Sequence, residues 1–230
     1  MKKIQAITKG SQIIDKIFWE LLKTLKNQSN LTEHNLTNKI RKFAKQMGAE
    51  GMAFPPIVSF GKNSTEIHHK PDKSKIGKNN FLMLDYGVKI DGYCSDFTRT
   101  LFIGKPNSLH EKIYNIVLKS QLATIKKIAV GNLADEIDFT ARHIINQSGY
   151  GKYYIHGTGH GVGRQIQEQP SFKINSSDVI SKDVIVTVEP GIYLPNKFGV
   201  RIEDMVLPAD RKNKPRILST IPKDFKNMII

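Results

Sequence analysis

The sequence predicts an α+β fold made of two similar halves, in which helices pack against an antiparallel sheet. Two segments with the apolar period of a helix open the chain, and two more follow residue 107. Each pair precedes a short strand-like run and then an expected hairpin, so the order helix, helix, strand, hairpin occurs twice. The chain has 230 residues, 39% of them apolar, and can bury a sizeable core. We therefore expect one domain over residues 1–230.

Two helices are expected in the first half. Residues 11–26 place apolar side chains at i, i+3 and i+4, which predicts an amphipathic helix with Ser11 as its N-cap. A second helix is expected to open at Thr32 and to stop at Gly48. A Pro-Pro pair then forces an extended backbone, which leads into an expected strand over residues 57–60.

A hairpin over residues 81–102 is expected next, and it organises the candidate site. Its turn is Asp91-Gly92, the dipeptide best suited to a two-residue type I′ turn, because both central residues there need positive φ. Counting outward from the turn, Gly87 lies opposite Asp96. Asp85 lies on the same face as Gly87, because side chains alternate along a strand. Asp85 and Asp96 are therefore diagonal neighbours, roughly 7–8 Å apart at their backbones.

These two aspartates predict a cation site. Both adjoin apolar residues and are expected to be buried. Two buried like charges are unfavourable unless a metal ion or a shared proton neutralises them. Two alternatives stay open: a single aspartate on a hairpin is more often a solvated edge charge, and Arg99 offers a salt-bridge partner.

The second half repeats the pattern. Ser108 and Glu111 have the spacing of a capping box and predict a helix to about residue 128. Asn132 is expected to cap the next helix, which stops at Gly149. Further along the chain we expect a short strand over residues 153–155, a buried strand over residues 184–188, and the last strands over residues 198–207 before a basic, loop-like tail.

The strands of the second half also carry two acidic residues, Glu189 and Glu203. Glu189 ends the expected buried strand, whereas Glu203 has an ion pair with Arg201 as its alternative. Between the acidic pair of the first half and that of the second, His156 and His160 are four residues apart, a spacing that returns to one face of a strand or a helix. The glycines around the two histidines remove side-chain bulk, which would let a ligand or a metal ion approach the backbone.

Together these residues favour metal-dependent hydrolysis. Four carboxylates and one or two imidazoles form a hard, oxygen-rich donor set suited to two divalent ions such as Mn, Co, Fe or Zn. Two such ions can activate a shared water for attack on a carbonyl group. A redox di-iron site is the rival, but the Glu-x-x-His spacing on facing helices that is typical of it is missing from the sequence.

Composition restricts the partners and the compartment. The net charge of +14 comes mostly from scattered lysines without interleaved aromatic residues, which argues against specific nucleic-acid recognition and favours a general lysine bias. Cys94 is the only cysteine, so an intrachain disulfide is excluded and a reducing, cytoplasmic environment fits. The basic N-terminus lacks the apolar core of a signal peptide, and no apolar run approaches the length of a membrane span.

Five motifs in this order resemble the M24-type metallopeptidases of the pita-bread fold, which include methionine aminopeptidase, Xaa-Pro aminopeptidase and prolidase. The motifs are LDYG, YCSDFTRT, HGTGHGVG, VEPGIY and GVRIED. The likeness covers nearly the whole chain and is closest to the Xaa-Pro branch. It implies two pseudo-symmetric halves with a curved antiparallel sheet covered by helices.

The resemblance also implies a set of metal ligands. Asp85 is expected to hold one ion, and His160 and Glu189 the other. Asp96 and Glu203 are expected to bridge the two ions. Glu189 is further expected to carry the proton of the attacking water.

Two other histidines receive roles from the same resemblance. His68 is similar to the family's histidine near the substrate amine or the scissile bond, and His156 to the one that helps to stabilise the tetrahedral intermediate. The implied cofactors are two divalent ions, Mn first and Co, Zn or Fe as alternatives. The implied partner is a short peptide substrate, and a homodimer is compatible with the family.

Two features depart from the family pattern. Gln167 stands where members usually place a third active-site histidine, seven residues after the metal-binding one. Glutamine donates a hydrogen bond but cannot carry a proton. In addition, the N-terminal domain that is usual in Xaa-Pro peptidases is missing from this sequence.

Three functions remain open from the sequence. The first is a dinuclear Xaa-Pro aminopeptidase or dipeptidase. The second is an enzyme similar to methionine aminopeptidase, which the short chain favours. The third is a non-catalytic pita-bread module that binds peptide, protein or RNA, which Gln167 and the charge favour and the retained ligand types oppose.

Overall fold

The computed structural model describes residues 2–210 and 213–230 of the chain. Four helices are present in these ranges: α1 (Lys2–Asn27), α2 (Glu33–Gln46), α3 (Ser108–Ile125) and α4 (Ala134–Gln147). The strands of the first half are β1 (Gly51–Met52), β2 (Ile57–Phe60), β3 (Asn80–Asp85), β4 (Val88–Ile90), β5 (Tyr93–Cys94) and β6 (Thr98–Ile103). Those of the second half are β7 (Gly159–Val162), β8 (Glu168–Phe172), β9 (Ile185–Val188), β10 (Gly191–Leu194), β11 (Phe198–Arg201), β12 (Asp204–Leu207) and β13 (Arg216–Ile217).

The strands pair antiparallel in two sets, one for each half. The first half contains the sheets β2-β3-β6 and β1-β4-β5. The second contains the sheet β13-β12-β9-β7-β8 and the hairpin β10-β11. A bridge between Thr98 and Glu203 joins the two halves edge to edge. The predicted α+β architecture of two helix-covered halves is therefore confirmed.

The central hairpin has the predicted turn and register. Asp91 and Gly92 adopt φ of 50° and 73°, and Ile90 pairs with Tyr93 across them. The ladder is nevertheless split between two sheets, a break that the sequence did not predict. At the break, the Ser95 hydroxyl bonds to the backbone N–H and C=O of Val88. The backbones then approach so closely that a Cβ on Gly87 would lie 1.8 Å from the Ser95 carbonyl oxygen.

The core joins α1 and α3 to both halves of the sheet. On α1, the ring of Phe18 meets the edge of Phe97, with 6.0 Å between ring centroids. Around α3, Phe81 packs against Phe198 of the second half at 5.0 Å and against Phe225 of the tail at 6.2 Å. These aromatic contacts hold the two halves at a fixed position relative to each other.

Several expected helix starts were wrong. Helix α1 begins at Lys2 rather than near Ser11, which is a buried interior residue, because the apolar face continues upstream through Ala6 and Ile7. Helix α3 is capped by Asn107 rather than by Ser108. The Asn107 side chain accepts hydrogen bonds from the backbone N–H groups of Leu109 and His110.

The region around α4 also differs from expectation. Asn132 does not cap this helix, since its amide donates to the carbonyl of Lys127 and Leu133 occupies the cap position. Residues expected to form a strand at 153–155 instead follow a 3₁₀ turn over Gly151–Tyr153. The expected loop-like tail contains β13 and a 3₁₀ turn over Phe225–Met228, and its residues 211–212 lie outside the described ranges.

Helix α3 ends at Ile125, three residues before the expected end near residue 128, whereas the boundaries of α2 and the end of α4 agree with the sequence. Thr32 caps α2 by accepting the N–H of Asn35, and Gly48 and Gly149 follow α2 and α4 with φ of 84° and 81°. These are the left-handed conformations that end a helix and that glycine adopts without strain. Within residues 2–210 and 213–230, no helix combines the length and the apolar character needed to cross a membrane.

Candidate metal centre

Three carboxylates from different strands meet at the junction of the two halves. Asp85 ends β3, Asp96 precedes β6, and Glu203 precedes β12. Strand pairing explains the meeting, because Asp85 pairs with Thr98 and Thr98 pairs with Glu203. One oxygen of each carboxylate lies within 4.8 Å of the others, and all three residues are buried.

The cluster has too few hydrogen-bond donors for its charge. Asp85 Oδ1 and Glu203 Oε1 are buried and have no hydrogen-bond partner among residues 2–210 and 213–230. Burial raises the pKa of Asp96 and of Glu203 well above their ordinary values, and repulsion by the neighbouring carboxylates raises both pKa values further. Buried polar atoms are nearly always paired, so two orphaned oxygens in a cluster of three buried carboxylates fit a bound cation.

His160 and Glu189 complete the group from the other half. The Nε2 of His160 lies 3.3 Å from Glu189 Oε1 and 3.7 Å from Asp96 Oδ2. Thr187 orients both residues, since its hydroxyl accepts the N–H of His160 and donates to Glu189 Oε1. Burial also raises the pKa of Glu189. All five residues expected to bind metal thus lie in one neighbourhood, and four oxygen donors with one imidazole suit a divalent ion of the Mn, Fe, Co or Zn class.

A cavity of about 350 Å³ opens onto this cluster. One wall is apolar and contains Phe54, Pro55 and Ile57, from the segment that leads into β2. His68 and Gln167 are exposed side chains that line the same cavity. The predicted residue His68 therefore faces the carboxylates across the space that a ligand would fill.

His156 lies beside the cavity with both ring nitrogens engaged. Nδ1 is 2.7 Å from the carbonyl of Gly157, which can only accept, so Nδ1 carries the hydrogen. Nε2 is 2.8 Å from the Tyr193 hydroxyl. Burial, together with the nearby Arg201, lowers the pKa of His156 to about 3. The imidazole is therefore neutral and accepts a hydrogen bond from Tyr193.

Helix α4 holds the segment that carries His156. The Arg142 guanidinium donates to the carbonyl of His156 at 2.6 Å. The buried Asp138 accepts hydrogen bonds from both the N–H and the hydroxyl of Thr158. Because Asp138 also pairs with Arg142, the second helix of this half fixes the backbone between the two histidines.

The arginines do not form the pairs considered from the sequence. Arg99 pairs with Asp204 at 2.7 Å rather than with Asp85 or Asp96. Arg201 pairs with Asp85 rather than with Glu203. Arg201 ends β11, and its guanidinium contacts both Thr98 of β6 and Asp85 at the end of β3, which explains why it pairs with Asp85.

Tyr193, the last residue of VEPGIY, is a site residue for which the sequence predicted no role. Its hydroxyl accepts from Arg201 Nη1 at 2.8 Å, which leaves its own hydrogen for His156. Burial raises the pKa of Tyr193 to about 12. The β10-β11 hairpin could have indicated that Tyr193 belongs to the site. Tyr193 pairs with Gly199 and therefore lies on the same face as the Gly191–Arg201 pair.

The glycines on either side of His160 are required for backbone packing and not, as expected, for the approach of a ligand. A Cβ on Gly159 would lie 2.1 Å from the Thr187 carbonyl oxygen, and one on Gly161 would lie 2.3 Å from that of Gln169. These glycines therefore permit close approach of neighbouring backbone segments. The histidine side chain between them, His160, is left free to face the carboxylates.

Comparison with known proteins agrees with this geometry. Residues 5–209 match the model of metallopeptidase family M24. An uncharacterized peptidase of Staphylococcus aureus (strain bovine RF122 / ET3-1) is 37% identical over 205 residues, which are 89% of this chain and 58% of that protein. The chain thus spans about three fifths of the length of this relative.

Solved structures of Xaa-Pro peptidases match the whole chain. The prolidase from Thermococcus sibiricus superimposes with a TM-score of 0.92 at 38% identity, over 99% of this chain and 60% of that one. The X-Pro aminopeptidase from Thermotoga maritima superimposes with a TM-score of 0.93 at 30% identity, over 100% of this chain and 63% of that one. The expected pita-bread fold and the likeness to the Xaa-Pro branch are therefore confirmed. The chain belongs to metallopeptidase family M24.

Proposed function

We propose that this chain is a metal-dependent exopeptidase domain, extending over residues 1–230, that hydrolyses the N-terminal peptide bond of short Xaa-Pro peptides. One observation carries the proposal. Asp85 and Glu203 each have a buried carboxylate oxygen that lacks a partner in the described part of the chain, and both residues line a cavity of about 350 Å³, which is the size of a small-ligand site. The prolidase and X-Pro aminopeptidase neighbours support peptides with proline after the scissile bond.

The residues present fit two divalent ions. Asp85 would hold one ion, His160 and Glu189 the other, and Asp96 and Glu203 would bridge them. When bound, such ions would activate water and stabilise negative charge that develops on the scissile carbonyl. We take Mn as the first ion to test, with Co, Zn and Fe as alternatives.

Glu189 is the proposed proton carrier. Its carboxylate lies at the edge of the cluster and is the most exposed of the acidic group, with 18% of its side chain accessible. Burial raises the pKa of this carboxyl in the metal-free protein. Thr187 orients this carboxylate through Oε1, and we propose that the carboxylate takes the proton of the attacking water and returns it to the leaving amine.

The histidines have separate tasks in the proposal. His68, exposed on the cavity wall, would contact the substrate near its amine or the scissile bond. His156 is neutral and accepts a hydrogen bond from Tyr193, so to stabilise the tetrahedral intermediate the Tyr193 hydroxyl would turn its hydrogen from His156 to the developing oxyanion. The apolar wall of Phe54 and Pro55 would receive the pyrrolidine ring.

A peptide panel tests the proposed function. Protein loaded with Mn should release the first residue from Ala-Pro and Ala-Pro-Gly much faster than from Met-Ala, and an Asp96→Asn variant should release none. Faster cleavage of Met-Ala would favour the methionine aminopeptidase alternative. Absence of hydrolysis with a salt-sensitive shift of RNA would favour the non-catalytic module. We propose a cytoplasmic location from the single cysteine, and sedimentation would measure whether the chain forms a homodimer.

A further inference from the structure

A second buried carboxylate centre lies behind the cavity wall, at Glu33. Glu33 is the first residue of α2 and is fully buried. Its Oε1 accepts the N–H of Phe60 at 2.7 Å and the amide of Asn63 at 3.0 Å. Its Oε2 accepts from His69 Nε2 at 2.7 Å and from the N–H of Asp72 at 3.3 Å. One side chain thus binds four points of the segment between β2 and β3.

The backbone of α2 reinforces this connection. The N–H of Glu33 donates to the Ser74 carbonyl at 3.0 Å, and the N–H of His34 donates to the Asp72 carbonyl at 2.9 Å. These N–H groups are free because the first turn of a helix has no internal acceptors for them. Residues 60–74 therefore form a loop whose two ends are both fixed on one helix terminus.

Glu33, His69 and Asp72 could be mistaken for a metal site, since their ligand atoms lie within 4.8 Å of one another. Their hydrogen bonding argues otherwise. Both oxygens of Glu33 already accept two donors each, whereas Asp85 and Glu203 present orphaned oxygens. The Glu33 centre is complete without an added cation and has the properties of a structural anchor.

The anchored loop carries His68. His69 is buried and directed toward Glu33, while its neighbour His68 is exposed on the cavity wall. Among the described residues, His68 has no hydrogen-bond partner, so its place depends on the backbone to either side. We propose that Glu33 and His69 are positioning residues that hold His68 against the candidate metal centre. The inference rests on the proposed function of His68 in substrate contact.

Glu33→Gln removes the anchor with the smallest change of shape. One of the two acceptor oxygens becomes an NH₂ group, which leaves two donors without an acceptor. We expect kcat/KM for Ala-Pro to fall about 10–100-fold, because a small misplacement of a substrate-contacting group has effects of this size. Metal content should equal that of the wild type. His69→Gln, which can still donate to Glu33, should lose less activity than His69→Ala.

Asp15→Asn is the matched control. Asp15 is a buried acid on α1 that accepts from the Ser219 hydroxyl and from the N–H and hydroxyl of Thr220, away from the cavity. This variant also loses buried hydrogen bonds, but we expect its kcat/KM to stay within about twofold of the wild type at a temperature where both are folded. An equal loss of activity in Asp15→Asn and Glu33→Gln would overturn the positioning role.

A double-mutant cycle separates positioning from stability. In a His68→Ala background, Glu33→Gln should reduce kcat/KM by no more than about twofold, because the group it positions is already gone. An undiminished effect of Glu33→Gln in that background would show that Glu33 does not act through His68.

The imidazole resonances of His68 give a measurement that does not need activity. We expect Glu33→Gln to shift and broaden them, and Asp15→Asn to leave them unchanged. If the wild type cleaves no peptide, the proposed function fails while these resonances still decide the positioning role. Unchanged His68 resonances in Glu33→Gln would overturn it.

Discussion

Glu203 and Asp204 are consecutive, buried acidic residues in opposite electrostatic environments. Because side chains alternate along a strand, Glu203 faces the cavity and Asp204 the opposite side of the sheet. Asp204 pairs with Arg99 at 2.7 Å and with Lys223 at 2.8 Å, and it also accepts the amide of Gln121. Of the residues that the structure describes, Thr98 alone donates to the carboxylate of Glu203, at 2.6 Å, and the other oxygen has no partner.

The pKa values of Asp204 and Glu203 shift in opposite directions because their neighbouring charges differ. Burial raises the pKa of both carboxyl groups, but Arg99 and Lys223 lower that of Asp204 below its ordinary value. Burial and repulsion by Asp96 instead raise the pKa of Glu203. Burial of an acidic residue therefore does not by itself identify a metal site. Asp204, whose counter-charges are supplied by Arg99 and Lys223, has a structural role, whereas Glu203, which has no such ion pair among the described residues, has the properties of a site for an external cation.

The largest expected effect is at the cavity side of this comparison. Asp96→Ala removes a proposed bridging carboxylate and should lower both Mn binding and Ala-Pro hydrolysis by about 10³-fold or more. Elemental analysis of the purified protein and steady-state kinetics would measure the two losses. A fully active variant would remove the bridging role from Asp96.

Asp204→Asn should lower the stability of the fold. It leaves the buried Arg99 and the partly buried Lys223 without a full counter-charge, and we expect a loss of about 3–5 kcal/mol in the free energy of unfolding. Urea denaturation would measure it. Activity per folded molecule should be preserved at low temperature, since Asp204 does not face the cavity. A drop in Mn affinity as large as that of Asp96→Ala would contradict the division between the two residues.

The same pair has a defined pH dependence. The pKa of Asp204 is lowered in the folded state, so its contribution to stability is present above the unfolded value, near 3.8, and is lost as pH falls through the folded value. The stabilities of wild type and Asp204→Asn should therefore converge under acidic conditions. A difference that grew on acidification would contradict the sign of this shift.

Glu203→Gln should have the opposite effect on stability in metal-free protein. The charged form of Glu203 is disfavoured there, so a neutral isostere is expected to raise the free energy of unfolding by about 0.5–2 kcal/mol. The variant should also lose the stabilisation that Mn gives to the wild type. Thermal unfolding with and without Mn would measure both changes. Destabilisation of the metal-free variant would show that Glu203 is paired in a way the structure does not contain.

The smallest expected effect is at Gln167. Gln167→His introduces a titrating group on the cavity wall, with an ordinary pKa near 6.5. We expect a change in kcat/KM of about 2–10-fold and a new inflection in its pH profile, because glutamine cannot carry a proton. An unchanged profile would show that this position does not exchange protons with the substrate.

Local features of the sequence predicted much of the candidate site. The Asp91-Gly92 turn fixed the register that places Asp85 and Asp96 on one face, since hairpin geometry depends on neighbouring residues alone. Motif order brought His160, Glu189 and Glu203 into the same proposal. Their individual roles as ligands stay predictions.

Pairings between the two halves could not be predicted in this way. The acidic partners of Arg99 and Arg201 depend on how the two halves pack against each other at Thr98, and these partners lie more than 100 residues away along the chain. The role of Glu33 was also missed, because an acid in the first turn of a helix is usually explained by the helix dipole alone. Only the tertiary fold shows that this carboxylate holds the loop of His68.

Titration of Mn into metal-free protein tests the central claim most directly. We predict that the wild type and Asp204→Asn bind about two ions per chain, and that Asp96→Asn binds fewer and more weakly. Equal binding by Asp96→Asn and the wild type, or no binding by the wild type, would contradict the assignment of the buried carboxylate cluster as a metal centre.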